Sequence, residues 1–496
     1  MTDTPRMAAM PPAGAAQYHP LAEPAFSRAA GGPLLAGNAL ELLIDAAAHY
    51  DAWLKAIRGA RRRVLLENYI IRDDEVGCEF RDALVERAKA GVMVAVVVDW
   101  LGCLGQSRSR FWKPLRAAGG KVRVFNPPKW GEPFGWISRD HRKLLAVDGI
   151  HGFLSGVCIS AKWLGNPARN VPPWRDTGVA VRGPAVAEIE AAFAQSWSSL
   201  GTALGDLSAD PEPIDPRGSV ALRVIATQPP YASLYRLDQL IASTARSTLW
   251  LTDAYFVGIA PYVQALVSAA RDGVDVRMLV PGSSDIPIIS GVSRSGYRPL
   301  LKAGIRVFEW NGSMLHAKTA VADGLWARVG SSNLNIASWL GNREIDVAVE
   351  DAGFAGLLAA QYERDLQNAT EIVLAPRRYR RSERILDSTA RPPRVHRAGG
   401  STSRAAAGAL RIANRVGAAL ANRRVLVDAS RGPLLAGALL LAALSVIGVL
   451  WPRVIAWPLA ALGGWLALNL GVRSWRQLKE RRRDPGDTSV RRGPSR

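Results

Sequence analysis

The hydrophobic and polar positions between about residues 37 and 376 follow the same order twice. In the first half, an apolar run at 64–69 precedes an alanine-rich stretch with helical spacing, and a second apolar run begins with glycine at 91–98. In the second half, the same succession occurs at 249–255 and 273–280. Short apolar runs bounded by turn residues indicate buried strands, and their alternation with helices is typical of layered α/β domains. The pattern therefore predicts one α/β domain that is used twice.

The composition changes on either side of these halves and between them. A segment rich in proline and acidic residues at 206–217 is the expected join, and a segment rich in Arg, Ala and Gly follows the second half. Part of it, residues 403–426, fits an amphipathic helix on anionic headgroups, with an ordinary solvated linker as the equal alternative. The expected organisation is a flexible leader at 1–36, a first α/β domain at 37–210, a second at 211–378, a basic linker at 379–430, a membrane hairpin at 431–473 and a basic tail at 474–496.

Two apolar runs near the C-terminus carry no charged side chain. They span 433–451 and 454–472, each 19 residues long, and only Pro452 and Arg453 separate them. Since this is close to the minimum length of a spanning helix, the runs predict a transmembrane helical hairpin. A pair of buried helices or a re-entrant element is the alternative. Basic residues flank both outer ends, so the positive-inside rule places these ends and the α/β domains in the cytoplasm.

The net charge of +20 is concentrated after the second half. From Arg377 onward there are 24 Lys and Arg against 6 Asp and Glu, which is +18 of the total. A basic segment beside an apolar one indicates contact with anionic phospholipids at a membrane, and its position argues against nucleic acid as the partner. The three cysteines form no CxxC pair, so neither a disulfide framework nor a zinc site is expected.

The candidate chemistry lies in a frame, His-x-Lys-x-x-x-x-Asp, that occurs once in each half. The two copies are 175 positions apart and supply the candidate catalytic residues His141, Lys143, Asp148, His316, Lys318 and Asp323. With 6 His in the chain, a chance match to even one frame is rare, so the duplication favours a shared site over two surface strands. Histidine and lysine two apart on a strand point to the same face.

That pairing suits phosphoryl transfer. An imidazole attacks phosphorus or moves a proton, while an ammonium neutralises the phosphate oxygens. Two such faces, related by pseudo-twofold symmetry, place two imidazoles on opposite sides of one phosphorus, and neither a metal nor a cofactor is needed. Small or amide residues downstream of the frames are candidates for substrate binding, and two carboxylates are candidates for orienting the imidazoles. These are Ser155, Gly156, Ser331 and Asn333 for the substrate, and Asp176 and Glu344 for the imidazoles.

In these stretches the chain resembles the phospholipase D superfamily, and within it bacterial cardiolipin synthases. The supporting stretches include 140–143, 174–177, 315–319 and 329–334, and the resemblance covers roughly residues 40 to 375. It implies two α/β/α sandwiches with the active site between them, at the bacterial inner membrane. The implied reaction transfers a phosphatidyl group from one phosphatidylglycerol to another and releases glycerol. It further implies His141 as nucleophile and His316 as acid.

The chain departs from the family pattern at two positions. Cys158 stands where the family usually has an amide, and Gly178 stands where it often has a histidine. Hydrolysis by the same two histidines, as in a phospholipase D or nuclease, remains an alternative, and so does a non-catalytic lipid-surface scaffold. The acceptor is phosphatidylglycerol, another phospholipid, a small alcohol or water. His49 and His151 are interpreted as structural residues.

Overall fold

The computed structural model describes residues 22–128, 137–205, 214–229, 231–374 and 423–426, with isolated helical positions between 442 and 471. The elements of the first half are α1 (Ala22–Ala30), β1 (Leu35–Ile44), α2 (Asp45–Gly59), β2 (Arg63–Asn68), α3 (Glu75–Lys89), β3 (Met93–Asp99), α4 (Lys113–Ala117), β4 (Lys121–Phe125), β5 (Lys143–Val147), β6 (His151–Ser155), β7 (Thr177–Arg182) and α5 (Ala185–Ser198). Two 3-10 turns, Ala161–Leu164 and Pro167–Arg169, lie between β6 and β7.

The second half repeats this order. Its elements are β8 (Val220–Thr227), α6 (Ser233–Thr244), β9 (Thr248–Thr252), α7 (Ala260–Arg271), β10 (Asp275–Pro281), α8 (Pro287–Lys302), β11 (Arg306–Trp310), β12 (Thr319–Ala322), β13 (Trp326–Gly330), β14 (Glu344–Glu350) and α9 (Ala352–Gln367). A π-helical turn, Ala337–Gly341, precedes β14, and two further strands, β15 (Ala369–Leu374) and β16 (Arg423–Leu426), follow α9.

The strand order shows the duplication directly. From the β1–β8 pair outward, the first half continues through β7, β6, β5, β2, β3 and β4, and the second through β14, β13, β12, β9, β10 and β11. Each strand of the first half, β1 to β7, therefore has an equivalent in the second half, β8 to β14, whose number is higher by seven. The equivalent strands β1 and β8 pair with each other antiparallel, with Leu35 opposite Leu222. Antiparallel pairing of like strands is the arrangement that a twofold axis produces.

Both faces of each sheet are covered. In β2, Val64 and Leu66 join an outer core with α2, α3 and α4, while Leu65 between them joins an inner core. The inner core combines α5 of the first half with strand residues of the second, such as Val329 and Ile345. Buried β-branched and aliphatic runs of this kind are typical of strands sandwiched between layers. The predicted α/β sandwich, present twice, is confirmed, and the two halves share one apolar interior.

The segment before the first predicted domain is not a flexible leader throughout. Residues Ala22–Ala30 form α1, which packs on α6 and β8, and its Phe26, Ala29 and Ala30 are buried in the second core. For residues 22–36 the prediction of a leader is therefore wrong. The alanine-rich composition suggested flexibility, but an apolar stripe on a short helix is stabilised by packing rather than by its own propensity.

Little of the C-terminal region lies within the described residues. Part of the predicted basic linker, Arg423–Leu426, is strand β16, which pairs parallel with β15 rather than continuing the amphipathic helix considered for 403–426. The predicted membrane hairpin at 431–473 lies outside the described residues except at isolated helical positions. Among the helices that the structure does describe, none has the length and apolar character needed to cross a membrane.

Candidate active site

The two histidines of the repeated frames line one cavity. His141 immediately precedes the segment leading into β5, and His316 stands in the equivalent position before β12. The cavity has a volume of about 330 Å³, and it is also lined by Cys158 and Asn333, which are equivalent residues of the two halves. This volume is at the lower end of the range for ligand pockets. The structure thus brings the two frames together, as the shared site requires.

Each histidine is held by a carboxylate from the opposite half. Nδ1 of His141 lies 2.9 Å from Oε2 of Glu344, and Nδ1 of His316 lies 2.7 Å from Oδ2 of Asp176. The sequence indicated these two carboxylates but not which imidazole each contacts. Because the pairs cross between halves, neither half holds its own histidine in place alone.

Backbone hydrogen bonds reinforce the same crossing. The amide of His141 donates to the carbonyl of Arg343 at 2.9 Å, and the amide of His316 donates to the carbonyl of Arg175 at 2.7 Å. Arg343 and Arg175 each directly precede an orienting carboxylate in the sequence. Each carboxylate and the histidine it contacts are therefore carried by backbones that pair with each other, which restricts the imidazole orientation.

Burial sets the protonation of the pair. Burial lowers the pKa of His316 to about 4, helped by Lys318 and opposed by Asp176. Burial also lowers the pKa of His141, although Glu344 opposes the shift. Burial acts to raise the pKa of Asp176, but the adjacent His316 holds it below its usual range. Both imidazoles are therefore neutral near pH 7, and a proton on Nδ1 leaves the Nε2 lone pair free to attack.

The two lysines lie beside the histidines, each over a tyrosine ring. Nζ of Lys143 is 4.9 Å from the ring centre of Tyr69, and Nζ of Lys318 is 5.9 Å from that of Tyr255. Each ammonium donates to the carbonyl of the histidine two residues before it. Burial lowers the pKa of Lys318 to about 8, so it stays charged near pH 7. The lysines thus supply positive charge next to the imidazoles.

The predicted substrate-binding residues divide into two groups. Asn333 is buried against the cavity, and its side-chain oxygen has no partner among the described residues, so this amide is available to a ligand. Ser331 instead donates to Oε2 of Glu344 at 2.6 Å. Ser155 accepts from the amide of Val157 at 3.0 Å and supports its own turn. Of these three side chains, only Asn333 has a free polar group at the cavity.

Gly156 has a steric role. A Cβ at this position would lie 2.3 Å from Oδ1 of Asp176, closer than atoms approach without displacement. The glycine therefore leaves the space in which Asp176 reaches His316. The sequence pattern predicts substrate contact at Gly156, and the structure places this glycine behind the orienting carboxylate instead.

The aspartates of the two frames do not lie in the site. Asp148 follows the far end of β5, where its carboxylate accepts from the backbone amides of Arg61, Arg62 and Arg63, each at 2.8 Å. Asp323 is equivalent and accepts from the amides of residues 246–248. Both have positive φ, 57° and 52°. These carboxylates close turns, so the expected catalytic role is replaced by a structural one.

We expect Asp148→Ala to destabilise the protein without slowing the chemistry. Three amides lose their acceptor and alanine is strained at positive φ, which costs about 1–3 kcal/mol. Asparagine tolerates this φ and keeps one acceptor oxygen, so Asp148→Asn should lose less stability than Asp148→Ala. Thermal unfolding measures the stability, and kcat at a temperature where the variant is folded measures the chemistry. A large loss of kcat with an unchanged melting temperature would contradict this role.

His49 accounts for the departure at Gly178. A Cβ on residue 178 would lie 2.2 Å from Nε2 of His49, which is fully buried in α2. Burial lowers the pKa of His49 to about 4, so the ring is neutral. The space beside strand β7 is thus filled by a histidine from α2, and glycine is required at 178. The sequence interpretation of His49 as a structural residue agrees with this position.

Several aromatic residues of the site were not singled out from the sequence. The rings of Trp163 and Trp174 lie 5.6 and 5.7 Å from that of His316, and Tyr69 lies 4.8 Å from His141. Trp163 belongs to a 3-10 turn between β6 and β7. Such a short turn has no regular spacing of apolar residues by which the sequence could predict it. Tyr69 and Tyr255 follow the second strand of their half, β2 and β9, so a comparison of the repeats offered a signal for them alone.

Comparison with known proteins agrees with the fold and the site. Residues 237–366 match the family described as cardiolipin synthase, PLD-like domain. Cardiolipin synthase A of Pseudomonas aeruginosa (strain LESB58) is 34% identical over 351 residues, which is 70% of each chain. Cardiolipin synthase of Alkalihalophilus pseudofirmus is 31% identical over 365 residues, 72% of each chain. Phosphatidylserine synthase from Haemophilus influenzae Rd KW20 has a TM-score of 0.52 at 14% identity, covering 70% of this chain and 92% of that one, and so shares the fold.

The duplicated sheet and the paired His-x-Lys frames define a phospholipase D-like enzyme. Within that class, the identity to its relatives shows that this chain belongs to the cardiolipin synthase family. The resemblance inferred from the motifs is confirmed.

Proposed function

We propose that this protein synthesises cardiolipin by transferring a phosphatidyl group from one phosphatidylglycerol to another. The observation that carries the proposal is the meeting of His141 and His316 at one cavity, each held by a carboxylate of the opposite half. Relatives named cardiolipin synthase support it. The neutral Nε2 of one imidazole is a nucleophile, and the lysines supply the charge that a phosphodiester requires.

The reaction has two balanced steps. In the first, Nε2 of His141 forms a bond to phosphorus, the bond from phosphorus to the headgroup oxygen breaks, and the departing glycerol takes a proton from His316. The negative charge of the bound phosphodiester favours the protonated form of one imidazole, which supplies that acid. In the second, a hydroxyl of another phosphatidylglycerol loses its proton to His316 and attacks phosphorus. The bond from nitrogen to phosphorus breaks and cardiolipin leaves.

Hydrolysis by the same residues differs only in the acceptor. The walls next to His316 are indole rings, Trp163 and Trp174, and tyrosine rings flank both lysines. Apolar walls disfavour bulk water around a phosphohistidine and suit the glycerol and acyl portions of a lipid. This arrangement supports transfer over hydrolysis.

The test is the product balance of the purified full-length protein with phosphatidylglycerol vesicles. We expect cardiolipin and free glycerol in equal amounts, with little phosphatidic acid. Phosphatidic acid and glycerol in equal amounts, without cardiolipin, would identify a hydrolase. No turnover of phosphatidylglycerol would overturn the proposed function.

We also propose that residues 431–473 anchor the enzyme at the inner face of the bacterial cell membrane. In the described helical positions of this stretch, Val446, Leu450, Trp457 and Leu468 are exposed, although each is a large apolar side chain. These four residues lie in the two uncharged runs, 433–451 and 454–472, and exposed apolar residues in such runs favour lipid as their surroundings. The basic residues on both flanks support the cytoplasmic orientation.

Truncation before Arg431 should release most of the protein from membranes. The basic residues of 379–430 should retain a fraction that high salt removes, because salt screens attraction to anionic headgroups. Sedimentation of membranes at low and high salt, with the full chain as control, measures both fractions. A truncated protein that stays bound at high salt would show that the hairpin is not the main anchor.

A further inference from the structure

The cavity is more cationic than one reacting phosphate requires. Its lining contains three cationic side chains, Arg72, Arg139 and Lys162, and one carboxylate, Asp285. Lys162 already lies 3.5 Å from Asp285. The two arginines have no carboxylate partner within the lining, although Arg139 is paired with Asp99 outside it, and they add to the positive charge of the lysines beside the histidines.

Arg139 is the unusual member of this pair. It is only 7% exposed, and one guanidinium nitrogen, Nη1, lies 3.1 Å from Asp99. Within the described part of the chain, Nε and Nη2 are buried and have no hydrogen-bond partner. Buried donors are nearly always paired in folded proteins, so two donors without a protein partner, on a residue that lines the cavity, suit an anionic ligand.

The backbone places Arg139 on the same side as the nucleophile. The amide of Arg343 donates to the carbonyl of Arg139, and the amide of His141 donates to the carbonyl of Arg343, which is the pattern of an extended parallel bridge. Side chains alternate in an extended segment, so Arg139, His141 and Lys143 share one face. Residues two apart there are separated by about 7 Å. That spacing suits two phosphates joined through a three-carbon glycerol bridge.

The second half has no arginine at the positions equivalent to Arg139 and Arg72. The residue two before His316 is Met314, which is buried in a hydrophobic core. Arg72 stands three residues after Tyr69, and the residue three after Tyr255 is Gly258. Both arginines therefore belong to the first half, although the histidines, lysines and carboxylates are present in both. An asymmetric pair of cations in a symmetric site points to a step in which the two substrates differ.

We infer that Arg139, assisted by Arg72, binds the phosphodiester of the acceptor lipid while its hydroxyl attacks the phosphohistidine. This inference rests on the proposed function and assigns the residues that select an anionic phospholipid as the acceptor over water or a small neutral alcohol. The planar guanidinium matches two phosphate oxygens, which a point charge such as lysine does less well. Arg139 is thereby a specificity-determining residue.

The test uses two acceptors that compete for one intermediate. The purified full chain receives phosphatidylglycerol vesicles in the presence of ethanol, and the ratio of cardiolipin to phosphatidylethanol is measured. Both products arise from the same phosphohistidine, so the ratio does not depend on donor binding or on the amount of active enzyme. Arg139→Gln should lower the ratio about tenfold or more, which corresponds to the loss of a charge-assisted contact. Arg72→Gln should lower it less.

Two further variants separate recognition from folding. Arg139→Lys keeps a charge beside Asp99, and its ratio should fall between those of the wild type and Arg139→Gln. Arg63→Gln removes a guanidinium paired with Glu190 outside the cavity and should keep the wild-type ratio. If Arg139→Gln does not fold, Arg139→Lys decides the question, because an unchanged ratio in the folded variant refutes the inference.

The outcomes distinguish this inference from the proposed function. A normal ratio in Arg139→Gln, even with slower total turnover, would show that the arginine serves the donor phosphate or the fold. Formation of phosphatidylethanol but no cardiolipin by the wild type would overturn both the lipid-acceptor inference and the proposed cardiolipin synthesis, and would retain only phosphatidyl transfer. Absence of both products in the wild type would overturn the proposed function itself.

Discussion

His141→Ala and His316→Ala should each abolish cardiolipin synthesis while the protein stays folded. The nucleophile and the acid act in one cycle, so losing either should reduce kcat by about 10⁴-fold or more for the nucleophile and about 10²–10⁴-fold for the acid. Cardiolipin formation from phosphatidylglycerol vesicles measures activity, and thermal unfolding checks the fold. His151→Ala, which alters an imidazole outside the cavity lining, is the matched control and should stay active. Normal activity in either cavity variant would refute the two-histidine mechanism.

A substrate with a good leaving group separates the two roles. A phosphatidyl ester of p-nitrophenol does not need an acid to release its alcohol. His316→Ala should therefore release one equivalent of p-nitrophenol rapidly and then stall with the phosphatidyl group on His141, because the base of the second step is missing. His141→Ala should give no burst. The opposite result, a burst only in His141→Ala, would exchange the roles implied by the family resemblance.

Much of the fold was predictable because the same order of apolar runs occurs in both halves of the chain. The runs at 64–69 and 249–255 correspond to β2 and β9, and those at 91–98 and 273–280 to β3 and β10. Strands buried on both faces have near-continuous apolar sequences, which makes them easy to recognise. Helix α1 was missed because its burial depends on a surface of the second half, supplied by α6 and β8. That contact is remote in sequence and leaves no local signal.

The site was predictable in its residue types but not in its connections. Spacing alone placed His141 and Lys143 on one face, and the downstream carboxylates were identified as partners for imidazoles. The crossing of Glu344 to His141 depends on the packing of the two halves, which no spacing encodes. The frame aspartates show the reverse case. Asp148 is part of the most specific motif in the chain, yet its carboxylate closes a turn at the far end of the strand. A motif therefore indicates which residues are constrained and not which of them act on substrate.

The crossing of the carboxylates leads to a second large effect. Glu344→Gln places an amide next to Nδ1 of His141, and an amide nitrogen there donates to Nδ1 and shifts the proton to Nε2. The lone pair that attacks phosphorus is then lost, so kcat should fall by about 10²–10⁴-fold with a smaller change in KM. Asp176→Asn should act in the same way on His316. Glu190→Gln is the control for loss of a buried charge, because the buried Glu190 carboxylate is paired with Arg63 away from the cavity.

The p-nitrophenyl ester shows which histidine each carboxylate serves. If the pairs cross between halves as the hydrogen bonds indicate, Glu344→Gln should lose the burst as His141→Ala does, although Glu344 belongs to the half that contains His316. Asp176→Asn should keep the burst and slow only the later turnover, because it disturbs the base and not the nucleophile. A lost burst in Asp176→Asn with a normal burst in Glu344→Gln would mean that each half orients its own histidine during the reaction. Since both imidazoles depend on the other half, we expect neither half to form the phosphohistidine when it is expressed alone.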